Sequence, residues 1–370
     1  MALPPPARLG DPVDAIDTPA LLLDLDAFER NVTRMAATVA ASGVALRPNA
    51  KSHKCPEIAL RQIEAGAVGI CAQKVSEAEA MVAGGVEDVL VSNEIVGQKK
   101  MERLTLLARS ARIGVCVDDL QNIDDLDQAA RAAGVVLDVL VEINVGARCG
   151  VQPGDPAAAL AGAVASKDCL SFRGLQAYQG PAQHRRTVEE RRMATQATLE
   201  HVERTLDALH RAGLDCPTIT GAGTGTFLFE MESGVYTELQ PGSYVFMDAD
   251  YNRNDWTGFP PFEQSLFVLA SVMSRPSREH AILDAGLKAL SVDSGLPEVA
   301  RWPGVAYAKA ADEHGRLDVP PTAAGPRLGE KVMLVPGHCD PTVNLHDWIV
   351  GCRAGVVEAI WPISARGAGF

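Results

Sequence analysis

The sequence has no block of lysine or arginine, no Cys-x-x-Cys pair and no apolar run long enough to span a bilayer. Its formal net charge of −13 makes nucleic acid and anionic membrane surfaces poor partners. The eight cysteines are scattered, some of them inside apolar runs, which favours a reducing compartment over a disulfide framework. Residues 1–10 lack a charged segment followed by an apolar stretch, so we expect no signal peptide and a cytoplasmic protein.

The chain is long enough for one large domain and a smaller one, with 370 residues of which 47% are hydrophobic. Between residues 44 and 220, near-continuous runs of Val, Ile and Leu alternate with helical patterns. Such strands are buried on both faces, which is typical of a parallel sheet covered by helices. We therefore predict a closed (β/α)8 barrel, with a doubly wound open sheet as the alternative.

The alternating pattern stops near residue 250, and the apolar runs that follow are separated by Pro, Gly and charged turns. This predicts a mostly β C-terminal domain. Residues 1–19 are rich in Pro and Asp and predict an irregular lead-in that packs with the β domain. The predicted organisation is therefore the lead-in, a barrel over residues 20–255 that opens with the apolar run at Ala20, and a β domain over residues 256–370.

A short basic stretch, residues 46–54, follows an early strand-like run. This position places Lys51 at the carboxyl end of a barrel strand, where barrel enzymes carry out their chemistry. In extended backbone, Lys51 and His53 point to the same side. A desolvated lysine amine can form a Schiff base. The alternative is a solvated basic loop, and this stretch taken alone favours that alternative.

A glycine- and threonine-rich loop, residues 221–226, directly follows another strand-like run. Backbone N–H groups and hydroxyls in such a loop can cradle a phosphate, and barrel phosphate sites favour the loops after the last two strands. Residues 241–244 supply a second turn of this kind. The loop has neither the Walker pattern nor the dinucleotide-binding pattern, and a flexible turn is the alternative interpretation.

Three further segments carry candidate ligands, bases or anion-binding groups. In extended backbone, His338 and Asp340 share a face, and an imidazole with a carboxylate suits Mn²⁺ or Zn²⁺, although a polar turn is the alternative. His184 lies just past the strand-like run 171–177, where a general base can act, and a surface histidine is the alternative. Arg148 ends another strand-like run, where it can bind an oxyanion or lie on the surface.

Taken together, these segments resemble the D-threonine aldolase family of barrel-type pyridoxal 5'-phosphate (PLP) enzymes, which includes the 3-hydroxy-D-aspartate aldolases. The resemblance extends over nearly the whole chain, with the motifs in one order. The stretches that carry it are residues 17–19, 47–54, 73–78, 92–94, 115–118, 174–178, 221–226, 236–240, 242–244, 247–248, 284–288, 312–315 and 338–345.

The resemblance implies an alanine-racemase-like fold, with a barrel followed by a β domain, and a homodimer. Lys51 would hold PLP as a Schiff base, and Arg148 and Tyr178 would flank the pyridoxal ring. His338 and Asp340 would hold a divalent metal, and His184 would lie near it. Mn²⁺ is the expected metal, and Mg²⁺ and Zn²⁺ are the alternatives. The residues that would contact the phosphate or lie beside it are Gly223, Thr224, Gly225, Gly242, Ser243 and Tyr244.

The implied reaction is metal-assisted retro-aldol cleavage of a D-3-hydroxy amino acid, such as D-threonine to glycine and acetaldehyde, with Lys51 and His184 as catalytic residues. Rivals of the same fold are a 3-hydroxy-D-aspartate aldolase and a D-serine or hydroxyaspartate dehydratase. A PLP carrier without turnover is a less favoured alternative, because a carrier needs neither the β domain nor the metal pair. A dinucleotide-binding oxidoreductase is the least favoured alternative.

The sequence departs from the family pattern at two places. Asn49 stands where the family commonly has histidine, two residues before the lysine, which affects hydrogen bonding near the cofactor. The turn at residues 145–147, before Arg148, is one residue shorter than the usual pattern, which affects the reach of that arginine.

Overall fold

The computed structural model describes residues 4–146 and 148–370, and in these residues no helix is both long and apolar enough to cross a membrane. The strands up to the end of the barrel are β1 (Ala20–Asp24), β2 (Ala45–Leu46), β3 (Ile70–Ala72), β4 (Asp88–Glu94), β5 (Arg112–Val117), β6 (Leu137–Glu142), β7 (Leu170–Ala177), β8 (Thr218–Gly221) and β9 (Glu238–Leu239). The helices over the same stretch are α1 (Leu25–Ala40), α2 (Pro56–Glu64), α3 (Val75–Ala83), α4 (Gln98–Leu107), α5 (Leu120–Ala133), α6 (Asp155–Ala165), α7 (Val188–Arg211), α8 (Phe227–Glu232) and α9 (Ala249–Asn252).

Strands β2 to β9 form a parallel sheet whose neighbours follow the order β2-β9-β8-β7-β6-β5-β4-β3. The two ends of this sheet meet, because the Cys71 N–H donates to the Pro48 carbonyl over 2.8 Å and Asn49 bridges to Cys71. Apolar side chains such as Val89, Val115 and Val139 are fully buried, as expected for strands covered by helices. The predicted (β/α)8 barrel is confirmed.

Strand β1 does not belong to this barrel. It pairs antiparallel with residues 266–269 and parallel with residues 349–352, at the centre of the C-terminal sheet. The prediction that the apolar run at Ala20 opens the barrel is therefore wrong. A strand buried on both faces has the same composition in either sheet, so composition does not distinguish them. The remaining barrel strand is β9, which is only two residues long and gave no strand pattern.

The C-terminal domain is mostly β, as predicted. Its elements are β10 (Leu266–Ser274), β11 (His280–Leu283), β12 (Glu298–Val299), β13 (Ala306–Ala310), β14 (Gly315–Asp318), β15 (Lys331–Val335), α10 (Cys339–Val343), β16 (Trp348–Arg353) and β17 (Val356–Pro362). The sheet order is β13-β14-β11-β10-β1-β16-β17, and β15 pairs with both β10 and β12. Ahead of β1, the chain lies against this domain, since the Gly10 N–H donates to the Val357 carbonyl over 2.9 Å.

Helices α9 and α10 join the two domains over the carboxyl end of the barrel. The fully buried Asp248 caps α9 by accepting the Tyr251 N–H over 2.9 Å. Its other carboxylate oxygen accepts the Cys339 N–H, at the start of α10, over 2.8 Å. The Ala249 N–H donates to the Pro336 carbonyl over 2.9 Å. One buried carboxylate therefore fixes a loop of the β domain over the mouth of the barrel.

Candidate active site

Lys51 lies at the mouth of the barrel, directly after β2. The segment Ala50–Ser52 is a 3₁₀ turn capped by Asn49, whose side-chain oxygen accepts the Lys51 N–H over 3.2 Å. The backbone is therefore not extended, and the prediction that Lys51 and His53 point to the same side is wrong. His53 is fully buried, and its Nδ1 accepts the Cys55 N–H over 3.1 Å. The Lys51 side chain is instead 39% exposed, because it faces a cavity.

The cavity lies at the carboxyl ends of the barrel strands, and most of the residues that line it are polar. Seven predicted site residues line it, namely Lys51, Arg148, Tyr178, Gly223, Thr224, Gly242 and Ser243. Asn49, which the sequence placed near the cofactor, and Ala222 of the predicted loop 221–226 also line it. The sequence interpretation did not name the other five as site residues, namely Gln73, Ser92, Gln176, Gln240 and Tyr251. Several of these are polar residues at the carboxyl end of an apolar barrel strand, and that position is a signal that the sequence does contain.

Lys51 forms an ion pair with Asp340, which comes from α10 of the β domain. Burial would lower the pKa of Lys51, but the Asp340 carboxylate outweighs burial and raises it. Burial would raise the pKa of Asp340, but the charges of Lys51 and His338 outweigh burial and lower it to about 2. The position predicted for cofactor attachment and a position predicted for metal binding are thus joined by one hydrogen bond.

His338 and Asp340 lie at the start of α10, although not on one face of a strand as predicted. His338 has extended backbone, whereas Asp340 is already in the first helical turn, so the extended-backbone prediction is wrong. The Nδ1 atom of His338 lies 2.8 Å from Asp293 Oδ2, an arrangement typical of histidines that bind a metal through Nε2. An imidazole nitrogen with a carboxylate is a donor set that fits Mn²⁺ or Zn²⁺.

The glycine-rich loop after β8 packs tightly on the fully buried Gln183. The Gln183 side chain accepts the Gly225 N–H over 2.9 Å and donates to Thr226 Oγ1 over 2.8 Å. A Cβ at Gly225 would lie 2.6 Å from the Gln183 carbonyl oxygen, so glycine is required there. The buried Thr224 Oγ1 has no hydrogen-bond partner in the described part of the chain. A tight loop with an orphaned hydroxyl fits an anionic group such as a phosphate.

The second predicted phosphate turn, residues 241–244, reaches the cavity only in part. Gly242 and Ser243 line it, and a Cβ at Gly242 would lie 2.8 Å from the Asn49 carbonyl oxygen. Tyr244 points away, because its side chain is fully buried and its hydroxyl accepts a hydrogen bond from Gln62 Nε2 over 3.0 Å. The Tyr244 hydroxyl is therefore not available to a group in the cavity.

Arg148 is held in the cavity wall by oxygen atoms from the ends of β3 and β4. Its Nη1 donates to Gln73 Oε1 over 3.2 Å, and its Nη2 donates to the Ser92 carbonyl over 3.1 Å. Burial raises the pKa of Tyr178, across the cavity, although the charge of Lys51 opposes this. Of the short turn before Arg148, Ala147 lies outside the described residues, and Gly146 donates its N–H to Asn144 Oδ1 over 2.8 Å.

Glu142, at the end of β6, is a buried carboxylate that the sequence did not single out. Its Oε1 lies 3.6 Å from Arg148 Nη2 and accepts the Cys149 thiol over 3.1 Å. The pKa of Glu142 is raised to about 7, because burial and the Glu94 carboxylate raise it and the charge of Arg148 opposes them only in part. The carboxyl end of the barrel therefore holds a carboxyl group that titrates near neutral pH.

His184 lies on the 3₁₀ turn Gly180–His184, which follows β7. Its Nδ1 hydrogen-bonds to Asp250 of α9, and its ring centroid is 5.8 Å from that of Tyr251, which lines the cavity. The histidine side chain is about half exposed. The sequence did not indicate Asp250 as a partner, since the two residues are 66 positions apart.

Comparisons with known proteins give a consistent result. The family model "Alanine racemase, N-terminal domain" matches residues 23–250, and the model "Putative serine dehydratase domain" matches residues 265–352. A D-threonine aldolase from an Arthrobacter species is 52% identical over 99% of this chain and 97% of the relative. The chain belongs to the D-threonine aldolase family.

Two further relatives of this family extend the comparison. A 3-hydroxy-D-aspartate aldolase from Paracoccus denitrificans is 47% identical over 99% of this chain and 96% of the relative. The crystal structure of a D-threonine aldolase from Filomicrobium marinum has a TM-score of 0.97 and 55% identity, and the match covers 99% of this chain and 100% of that one. The predicted family and the predicted enzyme class, a lyase, are confirmed.

Proposed function

We propose that this protein cleaves D-3-hydroxy amino acids by a retro-aldol reaction that requires PLP and a divalent metal, and that it converts D-threonine to glycine and acetaldehyde. The observation that carries the proposal is the hydrogen bond between Lys51 Nζ and the Asp340 carboxylate. This bond joins the lysine that would attach the cofactor to a carboxylate that would bind the metal. The D-threonine aldolase family to which the chain belongs supports the same reaction.

The cavity has the groups that PLP needs. Lys51 would bond the aldehyde carbon of the cofactor, and Arg148 and Tyr178 would flank its ring. The loop with the orphaned Thr224 hydroxyl would hold the phosphate, together with Ser243 of the neighbouring turn. When bound, PLP supplies an electron sink for the pair released when a bond to Cα breaks.

His338 and Asp340 would hold the divalent metal, which we propose to be Mn²⁺. A divalent cation at this position would act as a Lewis acid and lower the pKa of a bound hydroxyl group. Asp293 would support this role, since its carboxylate holds Nδ1 of His338 and orients the ring. The family resemblance carries two further proposals, a homodimer and a preference for D substrates.

His184 would remove the proton of the substrate's β-hydroxyl group. Its Nδ1 is engaged by Asp250, so Nε2 is the nitrogen that can accept this proton. The electron pair of the O–H bond then forms the aldehyde C=O bond as the Cα–Cβ bond breaks. The aldehyde leaves, Cα takes up a proton, and glycine is released.

The proposal is tested by product analysis with purified protein, PLP and Mn²⁺, using D-threonine, L-threonine and 3-hydroxy-D-aspartate as separate substrates. We expect glycine and acetaldehyde from D-threonine, little from L-threonine, loss of activity with EDTA and its return with Mn²⁺. Faster release of glyoxylate from 3-hydroxy-D-aspartate would identify that compound as the preferred substrate.

A dehydratase is the second candidate, because residues 265–352 match a serine dehydratase domain model. Dehydration removes the β-hydroxyl as water and yields a 2-oxo acid and ammonia, with no glycine. The reaction with D-threonine, assayed for 2-oxo acid, separates the two candidates, because its cleavage yields only glycine and acetaldehyde. A 2-oxo acid without glycine would contradict retro-aldol cleavage.

A further inference from the structure

Asp250 is a buried carboxylate to which the cleavage reaction as described assigns no role beyond its contact with His184. Its side chain is 6% exposed, and its two oxygens face two different partners. Oδ2 hydrogen-bonds to Nδ1 of His184, and Oδ1 accepts a hydrogen bond from Arg186 Nη2. The carboxylate therefore lies between a fixed cation and the imidazole of the proposed base.

The arginine side of this arrangement is rigid. Arg186 Nη1 donates to the Asp250 carbonyl over 2.7 Å and to Asn254 Oδ1 over 2.8 Å. Asn254 in turn donates to the Gln183 carbonyl over 2.9 Å, next to His184 in the chain. Burial would raise the pKa of Asp250, but the hydrogen bonds from Arg186 and His184 outweigh burial and lower it. At neutral pH this group is therefore an ionised carboxylate, which can only accept hydrogen bonds.

The geometry points to Asp250 as the residue that positions His184. It holds the imidazole in the tautomer that carries its proton on Nδ1, so that the unprotonated Nε2 faces the reacting hydroxyl. An acceptor-only carboxylate bonds to Nδ1 only when that nitrogen carries a proton, so in the neutral ring the contact leaves Nε2 unprotonated. The inference rests on the proposed function in one respect, namely that His184 is the base. Carboxylates orient catalytic histidines in this way in other enzymes.

Helix α9 also connects this pair to the proposed metal ligands. The Asp250 N–H donates to the Gly337 carbonyl over 3.3 Å, directly before His338. Asp248, at the start of the same helix, accepts the Cys339 N–H over 2.8 Å. One short helix therefore orients the base and holds the metal-binding turn, so the distance between the two is set by a few residues of backbone.

The first test is ¹⁵N NMR of the histidine side chains in the full-length protein, at a pH where the imidazole is neutral and without substrate. The His184→Gln variant assigns the signals. We expect the wild type to show protonated Nδ1 and unprotonated Nε2 at His184, and Asp250→Asn to lose this pattern. Asp255→Asn is the matched control, because its exposed carboxylate in the same segment only accepts from Thr257. A proton on Nε2 in the wild type would overturn the inference.

The second test is steady-state kinetics of the holoenzyme with D-threonine. We expect Asp250→Asn to lower kcat roughly 100-fold with little change in KM, because orientation of a general base acts on the chemical step. Asp255→Asn should match the wild type, and thermal melting of both variants shows whether they are folded. An unchanged kcat in a folded Asp250→Asn variant would overturn the role.

The two tests also separate this inference from the proposed function. If the wild type releases no glycine from any 3-hydroxy amino acid, retro-aldol cleavage fails whatever the NMR result. The expected tautomer in that protein would still support Asp250 as the residue that orients His184. The opposite tautomer in an active aldolase would contradict the inference and the assignment of Nε2 of His184 as the proton acceptor, while retro-aldol cleavage itself would stand.

Discussion

The two ends of the barrel are both rich in charged side chains, but they differ in how these charges are balanced. At the amino end, six residues form a continuous chain of ion pairs with alternating signs inside the barrel, in the order Arg173, Asp138, Arg112, Asp88, Arg47 and Glu238. Each link spans at most 3.9 Å. Every carboxylate there has an arginine from another strand, so this end is complete without a ligand.

At the carboxyl end, some charged or polar groups have no matching partner in the described part of the barrel, and others are paired by a residue of the β domain. Lys51 of the barrel meets Asp340 of the β domain, and Glu142 lies beside a second carboxylate, Glu94. The buried Thr224 hydroxyl has no partner among the described residues. The comparison shows that charge alone does not mark an active site. The carboxyl end also holds groups whose hydrogen bonds or charges remain unmatched, and burying such groups without a partner costs stability.

The largest effect should follow replacement of a proposed metal ligand at the carboxyl end. We expect His338→Ala to reduce glycine release from D-threonine about 10³-fold, because the Lewis acid would be lost. The absorbance of bound PLP should remain, since the cofactor contacts are on other residues. His280→Ala, on the β domain surface, is the control. Full activity of His338→Ala without added metal would contradict the proposal that the carboxyl end of the barrel holds a catalytic metal.

At the amino end, the expected effect is on stability and not on catalysis. Arg47→Met should lower the free energy of unfolding by about 3–5 kcal/mol, since Glu238 loses its arginine partner and Asp88 keeps only the more exposed Arg112. Arg211→Met is the control, because the Arg211–Asp155 pair is exposed and should contribute no more than about 1 kcal/mol. Urea unfolding measures both, and kcat at 25 °C should be unchanged. A large loss of kcat in folded Arg47→Met would contradict a purely structural amino end.

The pH dependence of stability provides a third test, through Glu142. The pKa of this group is raised to about 7 in the folded protein, so the native state holds its proton longer than the unfolded chain does. Its contribution to stability therefore falls as the pH rises from about 5 to 7.

Glu142→Gln should remove this dependence and make the protein more stable at pH 8 than the wild type, by about 1–3 kcal/mol. Unfolding midpoints at pH 5 and pH 8 measure the effect, and the exposed Glu232→Gln is the control. If stability depends on pH equally in Glu142→Gln and the wild type, the pKa of Glu142 is not raised in the folded protein.

The smallest expected effect concerns the loop at residues 221–226, which we propose as the phosphate site. Gly225→Ala places a Cβ 2.6 Å from the Gln183 carbonyl oxygen, so the loop must shift. We expect PLP to bind about tenfold more weakly, as measured by fluorescence titration. Gly162→Ala is the control, because the space around its Cβ is open. Equal PLP affinity for Gly225→Ala and the wild type would argue against this loop as the phosphate site.

The sequence predicted features that lie close together along the chain. Buried strands such as β4 and β6 have near-continuous apolar composition, and Lys51 and the loop at residues 221–226 directly follow strands. The strand β9 was missed because two residues are too few for a pattern. Composition could not show that β1 pairs in the C-terminal sheet, because pairing partners are far apart in the chain.

The partners of the proposed catalytic groups could not be predicted for the same reason. Asp250 lies 66 positions from His184, and Asp293 lies 45 positions from His338. The extended-backbone geometry assumed around Lys51 and Asp340 was wrong because a 3₁₀ turn and a helix start change the direction of the side chains. Motif residues are thus visible in the sequence, whereas the contacts that orient them require the fold.

The most direct test of the account is to locate the PLP attachment site. The protein is incubated with PLP, reduced with borohydride, digested and examined by mass spectrometry. We expect PLP to be fixed on Lys51. Reduction that leaves Lys51 unmodified, with PLP absent or fixed on another lysine such as Lys54 or Lys74, would contradict the assignment of this end of the barrel as the active site.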